Sequence, residues 1–218
     1  MAHSFSIRGW GKRLREFGYN NDPQVRGSIS KPAGPRVLSI QKWRPARSPS
    51  GQVGISLDIC KPYLGGLAII LQGSLREDLP PIISVAGGDL WGPEEGDTAL
   101  AATIQHGLPW LEKYSDAHQL IQYYEVSLKE GLPRKDLKLP PIVEKMTFGP
   151  KPSETVRRPP IFNWCLAELY SEVGDDGTSL KYAQQYFATL PDNRFHEEER
   201  AKVMDFINKL LPESSSGI

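Results

Sequence analysis

The sequence predicts an α+β protein, in which an N-terminal antiparallel β-sheet packed with helices is followed by a C-terminal helical portion. Residues 53–59 alternate strictly between apolar and polar side chains, the pattern of a strand with one buried and one wet face. Residues 36–43 are rich in β-forming side chains, and a Pro- and Gly-containing loop separates them from that strand. The two strands are therefore expected to pair as an antiparallel hairpin. From residue 97 onward, apolar side chains recur at helical spacing.

The other elements of the sheet half follow from local patterns. A short amphipathic helix is predicted over residues 5–19, with Gly18 as its stop. Residues 67–71 are continuously apolar, which suits a strand covered on both faces, and residues 81–85 suit one more strand.

The helices are placed by their caps. Asp97 is expected to begin a helix that Gly107 ends, and Ser115 or Asp116 is expected to cap the next one, which ends at Gly131. Three further helices are predicted after residue 160 from three apolar stripes, which fall within residues 162–173, 183–190 and 203–211.

Three segments are predicted along the chain. Residues 1–131 form an α+β sheet domain, and residues 161–213 form a helical hairpin with a C-terminal helix. Seven prolines between them, in residues 132–160, exclude a long helix and indicate an extended connection. This connection is either a strap laid over the body or a linker.

Composition indicates a folded protein. Hydrophobic residues make up 39% of the 218 residues and charged residues 24%, enough apolar material for a core. Both cysteines, Cys60 and Cys165, lie in apolar runs and are expected to be buried and free. The first ten residues lack the apolar stretch of a signal peptide, and no apolar run is long enough to span a membrane. The cytoplasm is the expected location.

The charge is neutral in total but uneven along the chain. Residues 1–50 hold ten Lys or Arg against two acids, a balance of 10 − 2 = +8, and residues 51–218 hold 16 against 24, a balance of −8. The two parts either pack against each other or form a polarised surface that steers a charged partner.

A search for reactive groups yields no catalytic, cofactor-binding or metal-binding residues. The chain has no phosphate-binding glycine loop, nucleophile elbow, H-E-x-x-H pair or C-x-x-C pair. The carboxylate pairs Glu94-Glu95 and Asp175-Asp176 lie in glycine-containing loops, where solvation opposes the raised pKa that acid–base catalysis needs. We therefore expect no enzyme, with an unrecognised site as the alternative.

The basic N-terminal part also allows nucleic-acid binding. Arginines and lysines beside aromatic rings can contact phosphates and stack bases. Against this, nucleic-acid-binding domains are usually basic overall, and this chain is neutral. The residues concerned are Arg26, Lys31, Arg36, Lys42, Arg44 and Arg47, with Trp10, Tyr19 and Trp43.

The loop of residues 87–97 is the strongest candidate for binding a partner protein. It joins one aromatic side chain to four carboxylates with no Lys or Arg among them, which suits an interface with a basic protein. In the alternative interpretation, the tryptophan is buried and the acids only solvate a loop. The candidate partner-binding residues are Asp89, Trp91, Glu94, Glu95 and Asp97.

The order of five short motifs resembles a family of bacterial proteins known only as a domain of unknown function. The motifs are Leu14–Tyr19, Val37–Lys42, the alternating strand 53–59, Asp89–Gly92 and Gly107–Glu112. The resemblance implies no catalytic residues. It implies instead an immunity protein, which binds and blocks a toxin delivered between competing bacteria, for example by a type VI secretion system. The implied partner is a cognate toxin that acts in the cytoplasm, such as a nuclease.

Overall fold

A computed structural model describes residues 9–22, 27–44, 51–63, 66–81, 83, 88–130, 132–133, 155–156 and 161–211. The described residues up to Ser115 form one compact unit, and those from Asp116 onward form another. The first unit contains the sheet and the second is mainly helical. The predicted α+β fold class is confirmed.

The sheet is antiparallel throughout, and its five strands lie side by side in chain order. The predicted hairpin is also confirmed, since Leu38 pairs with Ile59 and Trp43 with Gly54. The strands are β1 (Asn20–Asn21), β2 (Ser28–Ala33), β3 (Arg36–Trp43), β4 (Gly54–Tyr63) and β5 (Gly66–Ser74).

The strand prediction missed β1 and β2 and was wrong at Pro81 and Ile83. The Ser-Lys-Pro composition of β2 gives no alternating pattern. The strand nevertheless pairs with β3 along its whole length, from Ser28 opposite Gln41 to Ala33 opposite Arg36. Pro81 and Ile83 are not in a strand, and the rest of the segment predicted there, residues 82, 84 and 85, lies outside the described residues.

One sequence expectation about β4 was wrong. Its polar positions were expected to face water, yet Ser56 and Asp58 are as buried as Ile55 and Leu57. These polar groups bond to other polar side chains of the sheet instead of to water. Ser56 Oγ, for example, donates to Asp58 Oδ2 at 3.3 Å.

The first helix, α1 (Trp10–Leu14), continues as a 3₁₀ turn over Arg15–Phe17. Its predicted stop at Gly18 is confirmed, because this residue has a φ of 83° and donates its N–H to the carbonyl of Arg15. The part of this prediction that covers residues 5–8 lies outside the described residues.

The predicted helix end at Gly107 was wrong. Helix α2 (Gly96–Ala102) passes through a π-helical turn, Thr103–Gly107, directly into α3 (Leu108–Ser115). A Cβ at Gly107 would lie 3.4 Å from the side chains of Leu57 and Leu75, so this part of the helical segment packs on the sheet.

The second unit contains α4 (Ala117–Glu130), α5 (Ile161–Glu172), α6 (Asp176–Phe187) and α7 (Glu197–Leu210). Two short strands, β6 (Leu132–Pro133) and β7 (Thr155–Val156), pair antiparallel. The core of α5, α6 and α7 consists of Trp164, Ala167, Ala183, Tyr186, Val203 and Ile207.

The predicted boundary at residue 131 differs from the division in the structure. Helix α4 was assigned to the sheet domain, but it groups with the C-terminal helices. The ring of Tyr124 packs edge-on against Phe162 with centroids 4.7 Å apart, and Glu125 accepts a hydrogen bond from Tyr170 Oη at 2.7 Å. Of the predicted strap or linker, residues 132–160, only β6 and β7 lie within the described residues.

Both cysteines are buried, as predicted, and no disulfide bond joins them. Burial raises the pKa of the Cys60 thiol to about 12, with smaller contributions from Asp58 and Asp22. Among the described helices, none combines the length and the apolar character needed to cross a membrane.

Candidate protein-binding surface

The predicted loop is anchored to the sheet unit by its tryptophan. The backbone of Trp91 pairs antiparallel with that of Val53, with N–H to carbonyl distances of 2.8 and 3.0 Å. The Trp91 side chain is only 2% exposed. Its predicted role as an exposed contact was therefore wrong, and its burial supports the alternative interpretation for this one residue.

The four predicted carboxylates remain at the surface. Asp89 accepts a hydrogen bond from the backbone N–H of Glu77 at 2.6 Å. Glu95 accepts one from the backbone N–H of Gly92, which closes a tight turn. Asp97 forms an exposed ion pair with Arg13 at 3.1 Å, and Glu94 is exposed beside them.

A second segment, not predicted from the sequence, joins this loop. The N–H of Asp89 donates to the carbonyl of Leu75 at 3.0 Å, and the Asp89 carboxylate caps the N–H of Glu77, so residues 75–79 lie against residues 88–91. Gly88 makes this approach possible, since a Cβ there would lie 2.6 Å from the Leu75 carbonyl oxygen. We call residues 77–79 and 89–97 together the acidic ledge.

The acidic ledge combines negative charge with exposed apolar side chains. Leu79 is 47% exposed and Leu90 is 41% exposed. Trp91, the next residue after Leu90, is by contrast buried. Its exposed carboxylates are Glu77, Asp78, Asp89, Glu94, Glu95 and Asp97. Leucines among carboxylates give a partner both an apolar contact and a complementary charge.

The ledge is also preorganised. Hydrogen bonds of Asp89 join its two segments to each other. Backbone hydrogen bonds of Trp91 join the loop to Val53, the residue before β4. Fixing a surface before association lowers the conformational entropy lost on binding. This geometry suits recognition of another macromolecule by shape and charge.

Several residues of the nucleic-acid hypothesis are instead used within the fold. Arg36 is 4% exposed, and its Nη1 donates to the Ser115 carbonyl at 2.9 Å. Lys31 forms an ion pair with Glu112 at 2.6 Å. Trp10 and Tyr19 are buried, so neither ring is available for stacking on a base.

The other residues of the nucleic-acid hypothesis differ in exposure. Arg44 is exposed, whereas Lys42 and Trp43 are half-buried. The ring of Trp43 lies over Gly54, where a Cβ would be only 2.2 Å from the indole. Arg26 and Arg47 lie outside the described residues.

The other candidate acids have structural roles. Asp175 caps α6 by accepting from the backbone N–H of Thr178 at 3.0 Å, and this hydrogen bond lowers the pKa of the Asp175 carboxyl. In the described part of the chain, no three His, Cys, Asp or Glu side chains are grouped so that they could hold a metal ion.

Comparison with known proteins identifies no relative: no family model matches the sequence, and no curated protein or solved structure is significantly similar to it.

Proposed function

We propose that this protein is an immunity protein, which binds a cognate antibacterial toxin through the acidic ledge and neutralises it by occlusion. The observation that carries the proposal is the pair of exposed leucines, Leu79 and Leu90, set among six exposed carboxylates on two hydrogen-bonded segments. Interfaces of high affinity place apolar anchors at their centre and charged groups at their rim.

The charge of the ledge indicates the kind of toxin. A nuclease binds the phosphates of its substrate with lysines and arginines, so its substrate-binding surface is basic. An acidic surface is attracted to that region and covers it on binding. The proposed partner is therefore a nuclease that acts in the cytoplasm, where this protein would meet it.

Co-expression with the toxin encoded by the neighbouring gene tests this function. The toxin is produced in a bacterial host with and without this protein, and growth and co-purification are measured. We expect the protein to restore growth and to co-purify with the toxin as a stable complex. Toxicity that persists, with no complex formed, would contradict the proposal.

A further inference from the structure

A carboxyl group lies buried in the middle of the sheet. Asp58 is on β4, paired with Ser39 of β3 and Gln72 of β5, and its exposed fraction is 0%. Oδ2 accepts a hydrogen bond from Ser56 Oγ at 3.3 Å, and the side chain of Gln72 also donates to the carboxyl group. Oδ1 has no hydrogen-bond partner among the described residues.

The face of the sheet that contains Asp58 holds no other charged side chain in the described strands. By strand alternation this face carries hydroxyl, amide, thiol and apolar groups. They include Ser28, Ser30 and Pro32 from β2; Val37, Ser39, Gln41 and Trp43 from β3; Gly54, Ser56 and Cys60 from β4; and Gln72 and Ser74 from β5.

The titratable neighbours do not favour a negative charge there. The Cys60 thiol stays neutral because burial raises its pKa to about 12. Asp22, at the end of β1, acts on the same thiol and carries the same sign of charge as an ionised Asp58. Among the described residues Asp58 has no cationic partner. A buried carboxylate of this kind is costly, and such a group usually takes up a proton instead.

We propose that Asp58 is a neutral carboxylic acid in the folded sheet, and that its ionisation at higher pH weakens the sheet. In this state the proton is on Oδ2 and the hydrogen bond with Ser56 is reversed: Oδ2 donates to Ser56 Oγ, whereas Ser56 Oγ donates to Oδ2 when the group is ionised. Oδ1 is then a neutral carbonyl oxygen. An unpartnered carbonyl oxygen costs much less than an unpartnered carboxylate oxygen. The stability of the sheet thus depends on the protonation of Asp58, independently of the acidic ledge.

The direction of the pH dependence follows from the two states. Burial raises the pKa of Asp58 from 3.8 to about 6, against the smaller opposing effect of hydrogen bonds from Gln72 and Ser56. Below the pKa of the unfolded state, Asp58 is protonated in both the folded and the unfolded protein. Between the two pKa values it is protonated only in the folded protein. Stability therefore falls as pH rises through this window and levels off above it. Since each pKa unit corresponds to a factor of ten, the unfolding equilibrium constant rises about a hundredfold.

Carbon-13 NMR of the aspartate carboxyl groups in the full-length protein tests this directly. The Asp58 signal, assigned by its loss in Asp58→Asn, is followed between about pH 3 and pH 8. We expect its midpoint near pH 6. A midpoint at or below the ordinary value of an aspartate would overturn the proposal, and this measurement needs only the wild-type fold and the assignment.

Hydrogen exchange of the β3, β4 and β5 amides gives the second readout. Protection factors of the wild type, corrected for intrinsic rates, should fall about a hundredfold between about pH 4 and pH 7 relative to those of Asp58→Asn. Asp205→Asn, an exposed aspartate paired with Lys209, is the matched control and should run parallel to the wild type. Parallel profiles for wild type and Asp58→Asn would also overturn the proposal. If Asp58→Asn does not fold, Asp58→Ser supplies the assignment and the comparison.

Discussion

The backbone of Trp91 pairs with the backbone of Val53, and the indole beside this pairing is buried in the sheet unit. The same loop exposes Leu90 and its carboxylates to solvent. The buried indole and this backbone pairing, together with the hydrogen bonds of Asp89, therefore hold a charged surface in a fixed place.

Replacement of Trp91 by alanine should destabilise the sheet unit by about 3–5 kcal/mol, because it leaves a large cavity. Trp91→Phe should cost much less, since the buried indole N–H has no partner among the described residues and phenylalanine removes it. Urea unfolding monitored by hydrogen exchange of β4 amides measures both. As a control, Leu90→Ala should change stability little, since Leu90 is 41% exposed. A Trp91→Ala protein as stable as the Leu90→Ala protein would contradict this account of the anchor.

The close packing of Trp110 on β5 requires a glycine at position 73. A Cβ at this position would lie 2.7 Å from the ring of Trp110. Gly73→Ala should therefore destabilise the sheet unit by about 1–3 kcal/mol through overpacking. Gly9→Ala is the matched control, because in the described part of the chain no atom beyond the neighbouring residues lies within 4 Å of the place that a Cβ would take there. Equal urea midpoints for the two variants would show that β5 and α3 do not pack this closely.

Glu125 links three helices of the second unit by accepting hydrogen bonds from two stacked tyrosines. Tyr170 Oη lies 2.7 Å from Glu125 Oε1, and Tyr182 Oη lies 3.3 Å from the same atom. Tyr170→Phe should cost about 1–2 kcal/mol, since a short hydrogen bond to a carboxylate is lost at a half-buried site. Tyr182→Phe loses the longer bond and should cost less. Hydrogen exchange of the α4 and α5 amides decides the order, and a larger effect of Tyr182→Phe would be contrary to it.

The strands and helices that the sequence predicted correctly are those whose signals are local. Alternation in β4 and helical periodicity in α5 are visible within a few residues. A helix cap is equally local: the Asp116 carboxylate accepts a hydrogen bond from the backbone N–H of Gln119 at 3.0 Å. The strand β2 could not be predicted in this way, because its polar sequence becomes a strand through pairing with β3.

Burial was the property that the sequence could not decide. Alternation placed Asp58 opposite the apolar face of β4, but whether the face that contains Asp58 meets water depends on what packs over it, which alternation does not show. The exposure of Trp91 was undecided for the same reason. In the candidate site, the second segment had one visible signal: Asp78-Leu79 repeats the acid–leucine pair of Asp89-Leu90.

The two exposed leucines should determine how long the proposed complex lasts. Leu79→Ser together with Leu90→Ser removes apolar contact area while leaving the carboxylates in place. We expect the dissociation rate constant from the purified toxin to rise at least about tenfold, with little change in the association rate constant. Met204→Ser, at an exposed methionine of the second unit, is the control. An unchanged dissociation rate would show that the leucines lie outside the interface.

The most direct test of the acidic ledge is the association rate with the purified toxin as a function of salt. In Asp78→Lys with Glu94→Lys, two exposed ledge carboxylates are reversed, and in Asp176→Lys with Asp205→Lys, the same charge is changed on exposed helix positions. If the ledge attracts a basic toxin surface, the first variant alone should associate at least about tenfold more slowly at low salt and lose most of its salt dependence. Equal association rates for the two variants at every salt concentration would contradict the central claim.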